Sequence, residues 1–215
     1  MSRLPAAQRR EQLLDVAADI FAEQGYARAT TSQLAKAAGV TEPIIYRHFK
    51  SKRDLFVALI RRTGRRTLEQ WEKDLEGASD PAERLTRLLN DNPMVSERGR
   101  SEYRVFLQAL TEVDDDKIRA ALAEHIGKLQ KFVQTELERA QAEHKVTTRY
   151  TAEVMSWLLI HIGMGYGVMS AMQIPGHGTD ASGTHVADVL ARVLVGRGRQ
   201  EAGGQAPENK DAENR

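Results

Sequence analysis

The chain contains no cysteine, so disulfides, thiolate zinc sites, cysteine-ligated iron–sulfur clusters and a cysteine nucleophile are all excluded. Aromatic residues are scarce, at 6 %. No run of β-branched alternation with hairpin punctuation occurs, which argues against a β architecture. Nucleophile elbows, phosphate loops and paired acid–base motifs are also missing, so catalysis finds no support and no cofactor is expected. The first residues, MSRLPAAQRREQLLD, lack an apolar stretch followed by a small-residue cleavage site, and the expected location is the cytoplasm. Metal binding is equally unsupported: His125, His144, His161, His177 and His185 show no i,i+4 pair and no accompanying carboxylate pattern.

What the chain does have is charge, unevenly placed. The formal net charge of 215 residues is only +1. Residues 1–66 nevertheless hold 13 Lys and Arg against 6 Asp and Glu, a net +7, whereas residues 67–196 hold 14 against 20, a net −6. A basic head joined to an acidic body suggests a polyanion-binding module fused to something that binds no polyanion.

Nearly every segment repeats its apolar residues at helical period, so the fold class is all-α, with about nine helices. Leu13, Ala17, Ile20 and Phe21 mark a first helix that stops at Gly25. Thr31 is placed to cap a short helix ending at Gly39, and Thr41 to open another over 42–49 with Pro43 in its first turn. Ser51 and Asp54 form the S-x-x-D version of a capping box at the start of a long helix over 52–76. Further amphipathic stretches cover 82–92, 99–112, 115–142 and 148–173, and a last stripe follows the Pro175-Gly176 break. The tail from Arg197 has no aliphatic side chain larger than Ala and is expected to be disordered.

Two short helices joined by a glycine turn make a helix-turn-helix, whose second helix enters a DNA major groove while the first crosses the backbone. Arg47, His48, Lys50, Lys52 and Arg53 crowd the end of the second helix, where phosphates would lie. The run TTSQLAKAAGVTEPIIYRHFKSKRDL over 30–55, with FAEQGY before it, resembles the signature of the tetracycline-repressor (TetR) family of bacterial transcription regulators. The resemblance covers roughly residues 8–60.

That resemblance implies a helix-turn-helix DNA-binding domain over 1–52 and a ligand-binding and dimerisation domain over 53–196, ahead of the tail at 197–215. It places Ser32, Glu42, Pro43 and Ile44 at base edges and Thr31, Tyr46, His48 and Lys52 on phosphates. Thr41, Arg47 and Lys50 complete the DNA-binding set. Glu42 stays open, since a carboxylate either accepts from cytosine N4 or complements its helix N-terminus. Ile45 and Phe49 read as core, and Arg9 and Arg10 as a solvated basic face rather than minor-groove arms.

Residues 154–174 carry no formal charge, a length that would span a bilayer. Ser156, His161, Ser170, Gln173 and three glycines argue instead for a helix buried between its own core and a partner subunit, with no membrane. The family architecture pairs the last two helices across a two-fold axis. Gly163 and Gly167 at four-residue spacing, with Val186, Val189, Leu190, Val193 and Leu194, are the expected homodimer interface. Aromatic and Met side chains suggest a ligand pocket of Trp71, Tyr103, Phe106, Leu110, Met155, Trp157, His161 and Met164, with Tyr166 and Met169 as further candidates. Gly64, inside the long helix, is either a flexible point or a close packing contact.

The expected function is that of a repressor released from a palindromic operator in double-stranded DNA by a small apolar or amphipathic effector. The competing reading is a dimeric small-molecule-binding helical protein with little DNA-binding role.

Overall fold

The computed structural model describes residues 4–90 and 97–195. These form nine helices: α1 Ala6–Gln24, α2 Thr31–Ala37, α3 Glu42–His48, α4 Lys52–Asp74, α5 Pro81–Asn90, α6 Glu97–Leu110, α7 Asp116–Ala142, α8 Ala152–Ala171 and α9 Val186–Val195. The expected tail over 197–215 and the expected break at Asn92-Pro93 lie outside the described residues.

Every helix ends within about a turn of its expected position, and the differences have local causes. Thr30 rather than Thr31 caps α2: its hydroxyl accepts from the Gln33 N–H, and the Gln33 side chain accepts from the Thr30 N–H, a complete capping box. The Thr31 hydroxyl, on the first turn, is thereby left out of the cap. At the other end of α2, Gly39 adopts φ +64°, while the Gly39 N–H reaches the Lys36 carbonyl and the Val40 N–H the Ala35 carbonyl. This Schellman motif fixes the tight turn into α3. Ser51 caps α4 through the Asp54 N–H, but the Asp54 carboxylate turns outward to Lys117, so only half of the expected box forms. α8 begins at residue 152, later than periodicity suggests, because the Gln141 side-chain amide donates to the carbonyls of both Thr147 and Tyr150 and holds that stretch off the helix.

Two apolar clusters organise the chain. The first joins α1, α2 and α3 to the beginning of α4 and to α6 and α7, with Phe21, Leu34, Ile45, Phe56, Leu59 and Ile118 fully buried. The rings of Phe21, Tyr26 and Phe56 pack at 4.2–5.5 Å centroid separation within it. The second joins the end of α4 to α5, α7, α8 and α9 through Trp71, Leu85, Leu129, Leu137, Met155 and Leu194. α4 therefore belongs to both clusters and is the continuous strut between head and body. Ion pairs fasten its first half on two sides. Arg53 meets Asp115, Asp54 meets Lys117 and Arg61 meets Glu124, all on the α7 side, while the buried Arg62 guanidinium meets Asp15 at 2.7 Å and Glu11 at 3.3 Å on α1.

Gly64 is a packing contact. A Cβ built there would lie 2.5 Å from Nδ1 of His125, which is itself buried and stacked on Phe106 at 4.2 Å. Burial, reinforced by Lys128, pushes the His125 imidazole down to about 4, so the ring is neutral at physiological pH. Gly64→Ala is expected to destabilise the fold by about 1–3 kcal/mol through overpacking, despite a helix-propensity gain of about 1 kcal/mol. Urea unfolding measures it, and a variant as stable as the parent would remove the close contact.

Candidate nucleic-acid interface and body cavity

The head presents α3 on a base of core residues. Ile45 and Phe49 are buried, which leaves the other face of this short helix outward: Pro43, Tyr46 and Arg47 are exposed, Glu42, Ile44 and His48 half-buried, and Lys50 exposed just beyond the end. Thr41, the N-cap, makes no side-chain capping bond, so its hydroxyl stays available at the helix entrance. Ser32 is exposed on the first turn of α2, and Lys36 is exposed one turn further along the same face. Lys36 was not among the sequence candidates; the signal for it is its four-residue spacing from Ser32.

Three side chains tie α2 to α3. The Thr31 hydroxyl donates to Glu42 Oε2 at 3.0 Å and lies 3.2 Å from the Tyr46 hydroxyl. Because the single Thr31 proton goes to the carboxylate, the Tyr46 hydroxyl is the donor in the second contact. Glu42 thus has a hydrogen-bond partner within the head and sits in the first turn of α3, where negative charge complements the helix N-terminus. Arg10 also serves the head internally: its guanidinium donates to the His48 carbonyl at 2.9 Å and lies 4.3 Å above the Phe49 ring, closing the end of α3.

Lys52 sits differently from the other cations. Its ammonium donates to the carbonyls of Tyr26, Ala27 and Ala29 at 2.9, 3.3 and 2.9 Å and lies 4.5 Å from the Tyr26 ring centroid. It ties the α1–α2 loop to the start of α4 and, in this arrangement, offers nothing to a phosphate. The exposed cations near α3 are Arg47 and Lys50.

In the body, a small cavity of about 50 Å³ lies between α4, α5, α7 and α8. Trp71, Leu85, Leu88, Leu89, Leu129, Val133, Leu159, Ile160, Gly163 and Met164 line it. Of the residues proposed from sequence for a pocket, Trp71 and Met164 are in this wall and Met155 is in the core beside it. Phe106 belongs to the head-side cluster, whereas Leu110, Trp157, His161 and Met169 face outward. Tyr166 packs beside the α8–α9 loop against His177 and His185. The side chain of Tyr103 lies outside the described residues.

α8 is apolar enough to cross a membrane by length and composition, yet it packs one face on its own core through Met155, Ser156 and Ile160. Its opposite face leaves Val154, Trp157, Leu158, Met169 and Met172 exposed, and Val186 and Val189 of α9 are exposed too. Gly167 is buried and Gly163 faces the cavity; Leu190 is half-buried, Leu194 is in the body core, and the side chain of Val193 lies outside the described residues.

Residues 13–59 match the family described as bacterial regulatory proteins, tetR family. Over that stretch the head is similar to the DNA-binding domain of the TetR family. Solved structures agree on the fold across the body as well: a transcriptional regulator from Saccharomonospora viridis in complex with choline superimposes with a TM-score of 0.79 at 23 % identity, over 89 % of this chain and 100 % of that one. Among curated relatives, the HTH-type transcriptional activator FasR of Mycolicibacterium smegmatis is 36 % identical over 84 residues, 39 % of this chain and 38 % of FasR. The nucleoid occlusion factor SlmA of Marinobacter nauticus is 28 % identical over 144 residues, 67 % of this chain and 74 % of SlmA. The matches to the first curated relatives, FasR and the Bacillus subtilis fatty acid metabolism regulator, span only about two fifths of their length. The TetR likeness in sequence is therefore concentrated in the head, while the likeness of the body is one of fold.

Proposed function

We propose that this chain is a cytoplasmic, homodimeric repressor of the TetR family that binds a palindromic operator and is released by a small effector held in the body. The observation that carries the DNA part is the outward set on α2 and α3: Ser32, Thr41, Pro43, Tyr46, Arg47 and Lys50 are exposed on helices whose inward sides are locked in the head core. Phosphate contacts supply sequence-independent affinity, and the residues at the α3 N-terminus read bases. The half-buried Ile44, Glu42 and His48, with Thr31, complete the surface.

The exposed apolar side chains of α8 and of α9 support a dimer, since large apolar residues left bare on helix faces mark surfaces that a partner covers. A two-fold dimer presents two reading heads about 34–36 Å apart, which requires two symmetry-related half-sites. Coupling to an effector follows from α4. Trp71 in the cavity wall and Lys52 in the head are 19 residues apart on one helix, roughly 29 Å. A guest larger than the cavity must push its walls apart, and a close-packed core passes that displacement along the strut. A coupling free energy of about 1–3 kcal/mol lowers operator affinity 5–150-fold.

The DNA assignment is tested with the Arg47→Glu, Lys50→Glu double variant in gel-shift on the intergenic DNA beside the protein's own gene. Affinity is expected to fall about a hundredfold or more, and the salt dependence to become shallower by about two phosphate contacts. Parent-like binding by a folded double variant would overturn the interface and leave the reading of a ligand-binding dimer with little DNA role.

A further inference from the structure

The body cavity carries one chemical instruction besides its shape. Its described lining consists of Leu, Val, Ile, Met and Gly side chains together with a single aromatic, Trp71. No charged group, hydroxyl or amide faces it among the described residues. Trp71 is 7 % exposed, and its indole N–H is buried without a hydrogen-bond partner among the described residues. A buried donor left unsatisfied is costly, and indole N–H groups nearly always find an acceptor. The neighbouring Phe132 ring, 5.6 Å from Trp71, offers none.

We infer that the cavity accepts an uncharged, largely apolar molecule carrying a hydrogen-bond acceptor, a ketone, ester or ether oxygen, which takes the Trp71 N–H. The inference rests on the reading of the body as the effector-binding domain and specifies what that domain selects. Charge selects against other classes. A carboxylate or phosphate entering this wall would meet no cation, and its desolvation would go uncompensated. A quaternary ammonium needs several aromatic faces or an anion around it, and the described wall supplies one ring and no carboxylate. Pure hydrocarbons fit the wall but leave the indole donor unsatisfied. Selectivity between isosteres that differ only in an acceptor is therefore assigned to Trp71.

The test compares cyclopentanone with its hydrocarbon isostere methylenecyclopentane and with choline, using the full chain isotopically labelled at its indole nitrogens. The chain has two tryptophans, Trp71 and Trp157, and a Trp157→Phe spectrum assigns the two indole N–H signals. Cyclopentanone is expected to move the Trp71 proton downfield saturably. Methylenecyclopentane is expected to bind about tenfold more weakly without that shift, and choline to leave the signal in place. Trp71→Phe is expected to weaken the ketone about tenfold and leave the hydrocarbon unchanged; the ligand series in the unaltered chain stands even if this variant folds poorly. Saturable choline binding at the Trp71 signal, or equal affinity for the two isosteres, would overturn the inference while leaving an effector role intact. Ketone binding with the Trp71 shift sustains the inference even where DNA binding is unaffected, a result that would remove only the effector reading.

Discussion

Arg84→Met is expected to destabilise the chain by about 3 kcal/mol, toward the lower end of the 3–5 kcal/mol that breaking a buried ion pair costs. The Glu136 side chain is only 4 % exposed and is held by Arg84 in a two-pronged contact at 2.6 and 3.0 Å, with Arg139 adding a third bond at 2.7 Å. The same Arg84 donates to the Leu75 carbonyl at 3.0 Å, so one guanidinium joins α5, α7 and the C-cap of α4. Removing it strands a buried carboxylate and unties the body end of the strut. Arg139 stays in place, which is why the lower end of the range applies. Chemical denaturation measures the loss. The double variant Arg84→Met, Glu136→Leu is expected to recover most of it, because an apolar pair of similar volume avoids the desolvation cost of both charges. A single variant as stable as the parent would show that Arg139 alone satisfies Glu136.

That ion pair marks where sequence reading stops. Helix number, caps and glycine turns depend on residues a few positions apart, so Thr30, Gly39, Ser51 and Asp115 act through neighbours that a sequence places directly. The pairing of Arg84 with Glu136 joins residues 52 apart, and Arg62 reaches Asp15 across 47; nothing local announces either. The head's positive balance shows the same divide. Its total points toward a polyanion, but Arg10, Lys52, Arg53, Arg61 and Arg62 all have carboxylate or carbonyl partners inside the protein. Fewer cations face outward than the count suggests.

The candidate DNA surface was legible because it sits in one short stretch whose core positions, Ile45 and Phe49, fix by elimination which residues turn outward. The cavity was much less so. Aromatic and Met content singles out residues able to line a pocket, but the wall is mostly leucine and valine from four helices, chosen by how α4, α5, α7 and α8 pack. Phe106, a reasonable candidate by residue type, is drawn instead into the stack with His125 beside the head. Gly64 was left between two roles in the sequence, and the His125 ring, 61 positions away, decides between them.

Lys52→Met is expected to cost about 2–3 kcal/mol of stability and to leave the salt dependence of DNA binding nearly unchanged. The ammonium carries three charge-assisted bonds to loop carbonyls and a contact with the Tyr26 ring. Hydrogen bonds to a charged group contribute about 1.5–3 kcal/mol each where buried, and partial exposure of this loop lets water replace some of that. Methionine keeps the apolar stem and removes only the charge. Lys50→Met is the opposing control. Lys50 is exposed and makes no ion pair or hydrogen bond among the described residues, so stability should move by less than about 0.5 kcal/mol while the salt slope falls by about one phosphate. The comparison separates position from charge: two lysines two residues apart, equally basic in the sequence, divide between holding the reading head together and holding DNA. Thermal unfolding and DNA titrations at several salt concentrations, run below the variant's melting range, decide it. A stable Lys52→Met with a slope reduced by one would mean that the ammonium leaves its carbonyls for a phosphate when DNA arrives.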